Sequence, residues 1–232
     1  MEMINNKITQ IYLVHFKQIP LIALGNKEKI EKFKQLFKFN NVEVLQNQNG
    51  EIIAIRCNNG IYESLSGQLV IDNLQFEDRK IQFLIQGSSD DGYELFEELI
   101  MFLKELSRTK SDDFMQPIIK SEVSEIIAKL NFPMTRILNQ KYVAFINSVV
   151  TESASSEMAI PHISTGTVNT IVDYVPEDSS LSDFRVFYSR KEFTISPERG
   201  YPINDQIYYS KAPFDTKSHI KALEELEKIF SD

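Results

Sequence analysis

The sequence has a single cysteine, Cys57, and no tryptophan. One cysteine excludes an intramolecular disulfide and an all-cysteine zinc site, and it fits a reducing compartment. Histidine is scarce as well. His15, His162 and His219 stand far apart, and none has a second ligand at the helical spacing of an H-E-x-x-H site. The eight glycines are scattered, with no G-x-G-x-x-G, Walker A or G-x-S-x-G string among them. Long apolar runs are absent: the run Leu99–Leu103 falls far short of the roughly 20 residues a membrane span needs. Met1–Gln10 is polar and lacks the basic-then-apolar order of a signal peptide. Basic charge is the last shortage, with 25 Lys and Arg against 33 Asp and Glu, a net charge of -8. A sequence-independent nucleic-acid binder needs surplus cations to displace counterions, so nucleic acid is disfavoured as a partner. The expectation is a soluble cytoplasmic protein with no cofactor and no bound metal.

What is present is ordinary globular material. Apolar residues make up 42% and charged residues 25%, which argues against disorder. Residues 8–16 alternate as a strand, and Leu21–Leu24 continues the extended character after Pro20. Gly25–Asn26 offers a turn and an N-cap. Ile30, Phe33, Leu36 and Phe37 then recur at the spacing of a helix over Lys27–Phe39. Val42–Leu45, Glu51–Cys57, Ile61–Leu65, Leu69–Phe76 and Ile81–Ile85 read as strands. Asn49–Gly50, Asn58–Asn59–Gly60 and Asp78–Arg79–Lys80 are their expected turns. Ser88, Ser89, Asp90 and Asp91 are all competent caps for a helix over Tyr93–Leu106, whose apolar residues nearly surround it. Ser107–Asp113 is polar throughout and reads as a linker.

The second half repeats the order. Met115–Leu130 fits either period and leans to strand in its latter part. Asn131–Phe132–Pro133 opens a helix carrying Met134, Ile137, Leu138, Tyr142, Phe145, Ile146 and Val149; the competing reading makes Tyr142–Val150 a strand. After the Ser-rich loop Thr151–Glu157, strands are expected at Ala159–Ser164, Thr167–Tyr174, Phe184–Ser189 and Gln206–Ser210, with Glu192–Ile195 extending the third. Asp215–Thr216 caps a last helix, Lys217–Phe230.

The expected fold class is therefore α+β, built as two similar β-α-β4-α units, 1–108 and 109–232. Their antiparallel sheets join edge to edge in one pseudo-twofold body, with helices packed on one face. The closing helices share a local string, Phe96-Glu97-Glu98-Leu99 and Leu223-Glu224-Glu225-Leu226. The acidity is shared too, at -3 and -5 for the two units. By element order alone the chain resembles the TATA-binding-protein-like topology, which also occurs as a duplicated saddle, and a single unit resembles helix-grip domains. No residue motif accompanies either resemblance, so neither carries a function across.

Chemistry-bearing clusters weigh towards structural roles. Ser88–Asp91 is explained by capping, and Glu77–Asp78–Arg79–Lys80 by a hairpin turn. Cys57 reads as a small hydrophobe at a strand end. Two candidate contact regions remain. One is the basic helix, where Lys27, Lys29, Lys32, Lys34 and Lys38 face only Glu28 and Glu31; its plain reading is a solvated face with internal pairs such as Glu28–Lys32. An acid-rich loop with Asp173, Glu177, Asp178 and Asp183 is its counterpart. The other region is Tyr201, Tyr208 and Tyr209, because tyrosine buries area while keeping a polar tip. The expected function is non-enzymatic recognition of another protein, as adaptor, chaperone-like factor or inhibitor. The alternatives are a small-molecule cavity between sheet and helices, and an enzyme whose site would gather Asp90, Asp91, Glu77 and His162.

Overall fold

The computed structural model describes residues 1–14, 21–65, 67–107, 117–153, 166–172 and 191–231. The chain folds as α+β around one antiparallel sheet. Its strands are β1 (Glu2–Val14), β2 (Asn41–Gln46), β3 (Ile52–Ser64), β4 (Gly67–Glu77), β5 (Lys80–Gln86), β6 (Pro117–Lys129), β7 (Val168–Val172), β8 (Lys191–Pro197) and β9 (Ile207–Ala212). The helices are the single turn α1 (Leu21–Leu24), then α2 (Lys27–Leu36), α3 (Ser89–Ser107), α4 (Gln140–Ser153) and α5 (Thr216–Phe230). Across the sheet the order is β2-β3-β4-β5-β1-β6-β9-β8-β7. The strands β1 and β6 lie side by side at the centre, paired from Glu2↔Lys129 to Val14↔Pro117.

Local chemistry explains the elements. The β2–β3 turn is closed by Asn47, whose Oδ1 accepts from the Asn49 and Glu51 amides at 2.9 Å each, while Gly50 supplies a φ of 79°. Asn26 caps α2 by accepting from the Glu28 amide at 3.0 Å. At the start of α3, Asp91 accepts from the Ser88 amide at 2.8 Å and the Asp91 amide returns a bond to Ser88 Oγ at 3.3 Å, a capping box. Asp215 caps α5 through the Ser218 amide at 2.9 Å.

Three expectations are corrected. Leu21–Leu24 is not extended but a helical turn, closed by Gly25 N–H to Leu21 C=O at 2.7 Å, which brings Leu21 and Leu24 into the core together. Asn58–Asn59–Gly60 is not a turn. Here β3 runs straight through, absorbing a left-handed Asn59 (φ 53°) while Gly60 lies flat against Phe39, where a Cβ would sit 2.4 Å from the ring. Cys57 consequently lies mid-strand, not at a strand end. Tyr142–Val150 follows its helical reading and not the competing strand, as part of α4, although that helix begins only at Gln140 after a short 3-10 turn at Met134–Ile137. The strands expected at Ala159–Ser164 and Phe184–Ser189, the acid-rich loop, and nearly all of the expected linker lie outside the described residues.

One face of the sheet carries α2, α3 and α5. Beneath α2 and α3 a phenylalanine-rich cluster includes Phe33, Phe37, Phe76, Phe83 and Phe96, with Tyr12 stacked on Phe96 at 3.8 Å between centroids. Beneath α5 a second cluster gathers Ile126, Ala128, Leu130, Phe132, Tyr208 and Leu223. A polar seam separates the two on the same face, and it includes the buried side chains of Gln10, Ser89, Ser124, Ser210, Thr216 and His219.

Candidate functional site

The seam is built by the two central strands and the first turns of α3 and α5. Gln10 on β1 stands opposite Glu122 on β6, and its amide donates to the Glu122 carboxylate at 2.5 Å and to the Ser89 carbonyl at 3.1 Å. The Tyr12 hydroxyl donates to Gln10 Oε1 at 3.0 Å. Burial and the nearby carboxylates of Glu122 and Glu97, with Tyr93, push the Tyr12 phenol far above its usual range. Gly92 makes room for this arrangement, since a Cβ there would fall 2.3 Å from Gln10 Oε1.

Above the central strands the two helix starts meet. The Ser89 amide donates to Thr216 Oγ1 at 3.0 Å, the Thr216 amide donates to Ser89 Oγ at 2.8 Å, and the two hydroxyls lie 3.2 Å apart. Each amide is a first-turn donor with no partner in its own helix, so each helix caps the other. One residue further on, Lys217 pairs with Asp90 at 2.7 Å on the surface. Ser89 and Thr216 are 127 residues apart, and the same offset aligns the shared strings at Phe96 and Leu223.

His219 lies one turn into α5. Its Nδ1 is 2.7 Å from Ser124 Oγ and its Nε2 is 2.8 Å from Ser210 Oγ. Burial lowers its pKa to about 4, because the charged ring has lost its water. A serine hydroxyl beside imidazole is the contact a serine nucleophile makes with its base. Here Ser124 and His219 are fully buried and Ser210 occupies the second ring nitrogen, so no substrate reaches the pair. The trio is a satisfied polar core, which spacing alone did not reveal because β6, β9 and α5 contribute one residue each.

The sequence-derived candidates do not converge. Lys32 pairs with Glu105 of α3 at 2.6 Å and Lys38 with Glu63 of β3 at 2.8 Å, replacing the expected Glu28–Lys32 pair inside the helix. A shallow open depression on the outer side of α2 is lined by Asn26, Lys27, Glu28, Glu31, Lys32 and Gln35, a mixture of both charges. Lys29 and Lys34 are half-buried on the same helix. Tyr208 is a core residue whose hydroxyl donates to the Phe132 carbonyl at 2.8 Å. Tyr209 points to the opposite face of the sheet beside Glu125, and burial with that carboxylate raises its phenol. Tyr201 is exposed in the preceding loop. Asp90 and Asp91 start α3 beyond one end of β5, whereas Glu77 lies beyond the other, a strand length of about 20 Å away. His162 and His15 lie outside the described residues.

The face opposite α3 and α5 has a different make-up. Along its middle strands β5, β1 and β6 stand the half-buried aliphatic side chains Leu84, Ile11, Val123 and Ile127. Around them are Gln75, Gln82, Asn73 hydrogen-bonded to Asn58 at 2.8 Å, and Thr194. Of the charges there, Lys7 pairs with Asp72 at 2.9 Å and Lys211 with Glu125 at 3.2 Å. Among the described residues no group of His, Cys, Asp and Glu is arranged to hold a metal, and no helix is long and apolar enough to cross a membrane. No protein-family model matches the chain, and no curated protein matches it in sequence.

Proposed function

We propose that the chain is a non-enzymatic binding module for another protein, and that the sheet face opposite α3 and α5 is its contact surface. The observation that carries this reading is the layout of that face. Leu84, Ile11, Val123 and Ile127 form an aliphatic centre, and amides, hydroxyls and charged side chains, among them the pairs Lys7–Asp72 and Lys211–Glu125, form the rim. Contact patches have this anatomy, with charge depleted at the centre and polar groups around it. Tyr209 belongs to the same face, whereas the lysines of α2 lie on the helix side and Tyr208 is spent in the core. The net charge of -8 steers the encounter towards a basic partner.

The frame behind the surface is read as two β-α-β4-α units, 1–108 and 109–232, in the TATA-binding-protein-like order. Outwards from the centre the strands run β1-β5-β4-β3-β2 on one side and β6-β9-β8-β7 on the other. The matched helix starts at an offset of 127 residues support the same reading.

The test is capture from native lysate with the wild-type chain and with the pair Leu84→Glu and Val123→Glu. Both substitutions sit on the proposed surface and away from the core. The expected result is a partner held by the wild type at low and moderate salt and lost by the variant, at an unchanged unfolding midpoint. Capture of the same proteins by both, or of none by the wild type, overturns the proposal.

A further inference from the structure

His219 has a hydrogen-bond arrangement that favours the neutral ring with its hydrogen on Nε2. The Ser210 hydroxyl has a single hydrogen and gives it to the Thr194 carbonyl at 3.0 Å. Ser210 Oγ therefore accepts from the ring at Nε2, which carries the hydrogen. The Nδ1 lone pair is then free to accept from the Ser124 hydroxyl. A protonated ring would bear a second N–H at Nδ1, directed at the same Ser124 oxygen. The Ser124 hydrogen would have to turn away from the ring, and a full charge would sit in a site closed by Phe193, whose ring meets the imidazole edge-on at 5.9 Å.

Among the described residues, the groups around the ring offer no counter-charge. On α5 itself, Asp215 is engaged by Ser218 and Lys217 by Asp90. On β6, Glu122 holds Gln10 and Lys120, and Glu125 lies on the opposite face with Lys211 of β9. On β8, Phe193 faces the ring, so its neighbour Glu192 points the other way. At the start of α3, Asp91 is tied to Ser88.

We propose that His219 is a proton-operated latch, which holds the first turns of α5 on β6 and β9 while neutral and releases them when protonated. The release has a defined reach. Thr216 is three residues before His219, so loosening this turn also breaks the reciprocal cap with Ser89 and opens the seam between the two halves of the sheet.

The folded ring holds its proton only below about pH 4, whereas an exposed ring binds it near 6.5. The docked state is therefore fully favoured above pH 6.5 and loses ground as pH falls towards 4. With those two values the opening constant of α5 rises about 50-fold between pH 7 and pH 4.5.

The experiment is amide hydrogen exchange on the full chain at both pH values, corrected for intrinsic rates, comparing α5 with α3. The imidazole is followed in parallel by NMR. Expected are an α5 protection loss about 50-fold beyond that of α3, and an imidazole that stays neutral with its hydrogen on Nε2 down to about pH 4. His219→Gln should remove the pH dependence of the α5-to-α3 ratio, and Ser124→Ala should raise the pKa of the ring by removing the bond that favours its neutral form. A ratio that does not change with pH in the wild type, or changes equally in the glutamine variant, refutes the latch. So does a ring in the wild type that titrates near 6.5, which decides the matter even if neither variant folds.

Discussion

The reciprocal cap between α3 and α5 makes a quantitative prediction, because two residues 127 positions apart share three contacts. The substitution Ser89→Ala removes the oxygen that accepts from the Thr216 amide and leaves that buried N–H unpaired. Thr216→Val does the same to the Ser89 amide at nearly constant volume. An unsatisfied buried donor costs about 1–3 kcal/mol, so each variant should lose about 2 kcal/mol of stability. For a chain of this size that is a fall of about 4–8 °C in the unfolding midpoint. The double variant should not lose the sum. The contact between the two hydroxyls, worth about 1 kcal/mol, is broken by either change alone and cannot be broken twice. Urea unfolding of the four proteins should therefore give a coupling of about 1 kcal/mol, and a total loss of about 3 kcal/mol. Additivity within about 0.3 kcal/mol would show that the two helix starts are not in contact and would refute the reasoning.

Other substitutions test other parts of the same structure. Gly92→Ala, a change that favours most helices by about 1 kcal/mol, should here destabilise, because its Cβ meets the buried Gln10 amide at 2.3 Å; a raised unfolding midpoint would contradict this. Tyr208→Phe should cost about 1–2 kcal/mol in urea unfolding, since the buried Phe132 carbonyl loses its donor. Cys57, fully buried and with its thiol pushed up to about 12 by desolvation, should resist a thiol-specific reagent at pH 8 until urea unfolds the chain. Rapid labelling of the native protein would place the thiol elsewhere.

Much of the fold was legible because its signals are local. Apolar spacing marked α2 and α3, Asn49–Gly50 marked the first hairpin, and Asp215 marked the start of α5. Where two local rules compete, tertiary packing decides. Asn58–Asn59–Gly60 carries the residues of a turn, yet Phe39 needs a flat glycine against its ring, and the strand continues. Tyr142–Val150 has strand-favouring residues, yet their helical spacing prevails. The seam was the least legible feature. Gln10, Glu122, Ser124, Ser210 and His219 look like ordinary polar positions until the pairing of β1 with β6, of β6 with β9 and the packing of α5 bring them together. The lysines of α2 and of the turn after it were legible as a cluster but not as a set of pairs, because Glu105 and Glu63, the partners of Lys32 and Lys38, come from α3 and β3.

The central pairing of β1 with β6 also orders events during synthesis. The whole first half, through α3, leaves the ribosome before any residue of β6 does. Until then β1 presents an open edge of 13 residues to the cell, with its backbone donors and acceptors unpaired. Such an edge invites pairing with other chains, and the polar side chains of Lys7, Thr9 and Gln10 oppose a dry contact along it. The Gln10 amide, which also donates to the Ser89 carbonyl, completes its bonds only when Glu122 arrives, more than a hundred residues later. The nascent half-sheet is thus a state open to misassembly, and β1, though it precedes every other strand of this sheet, is completed only after four of them have formed.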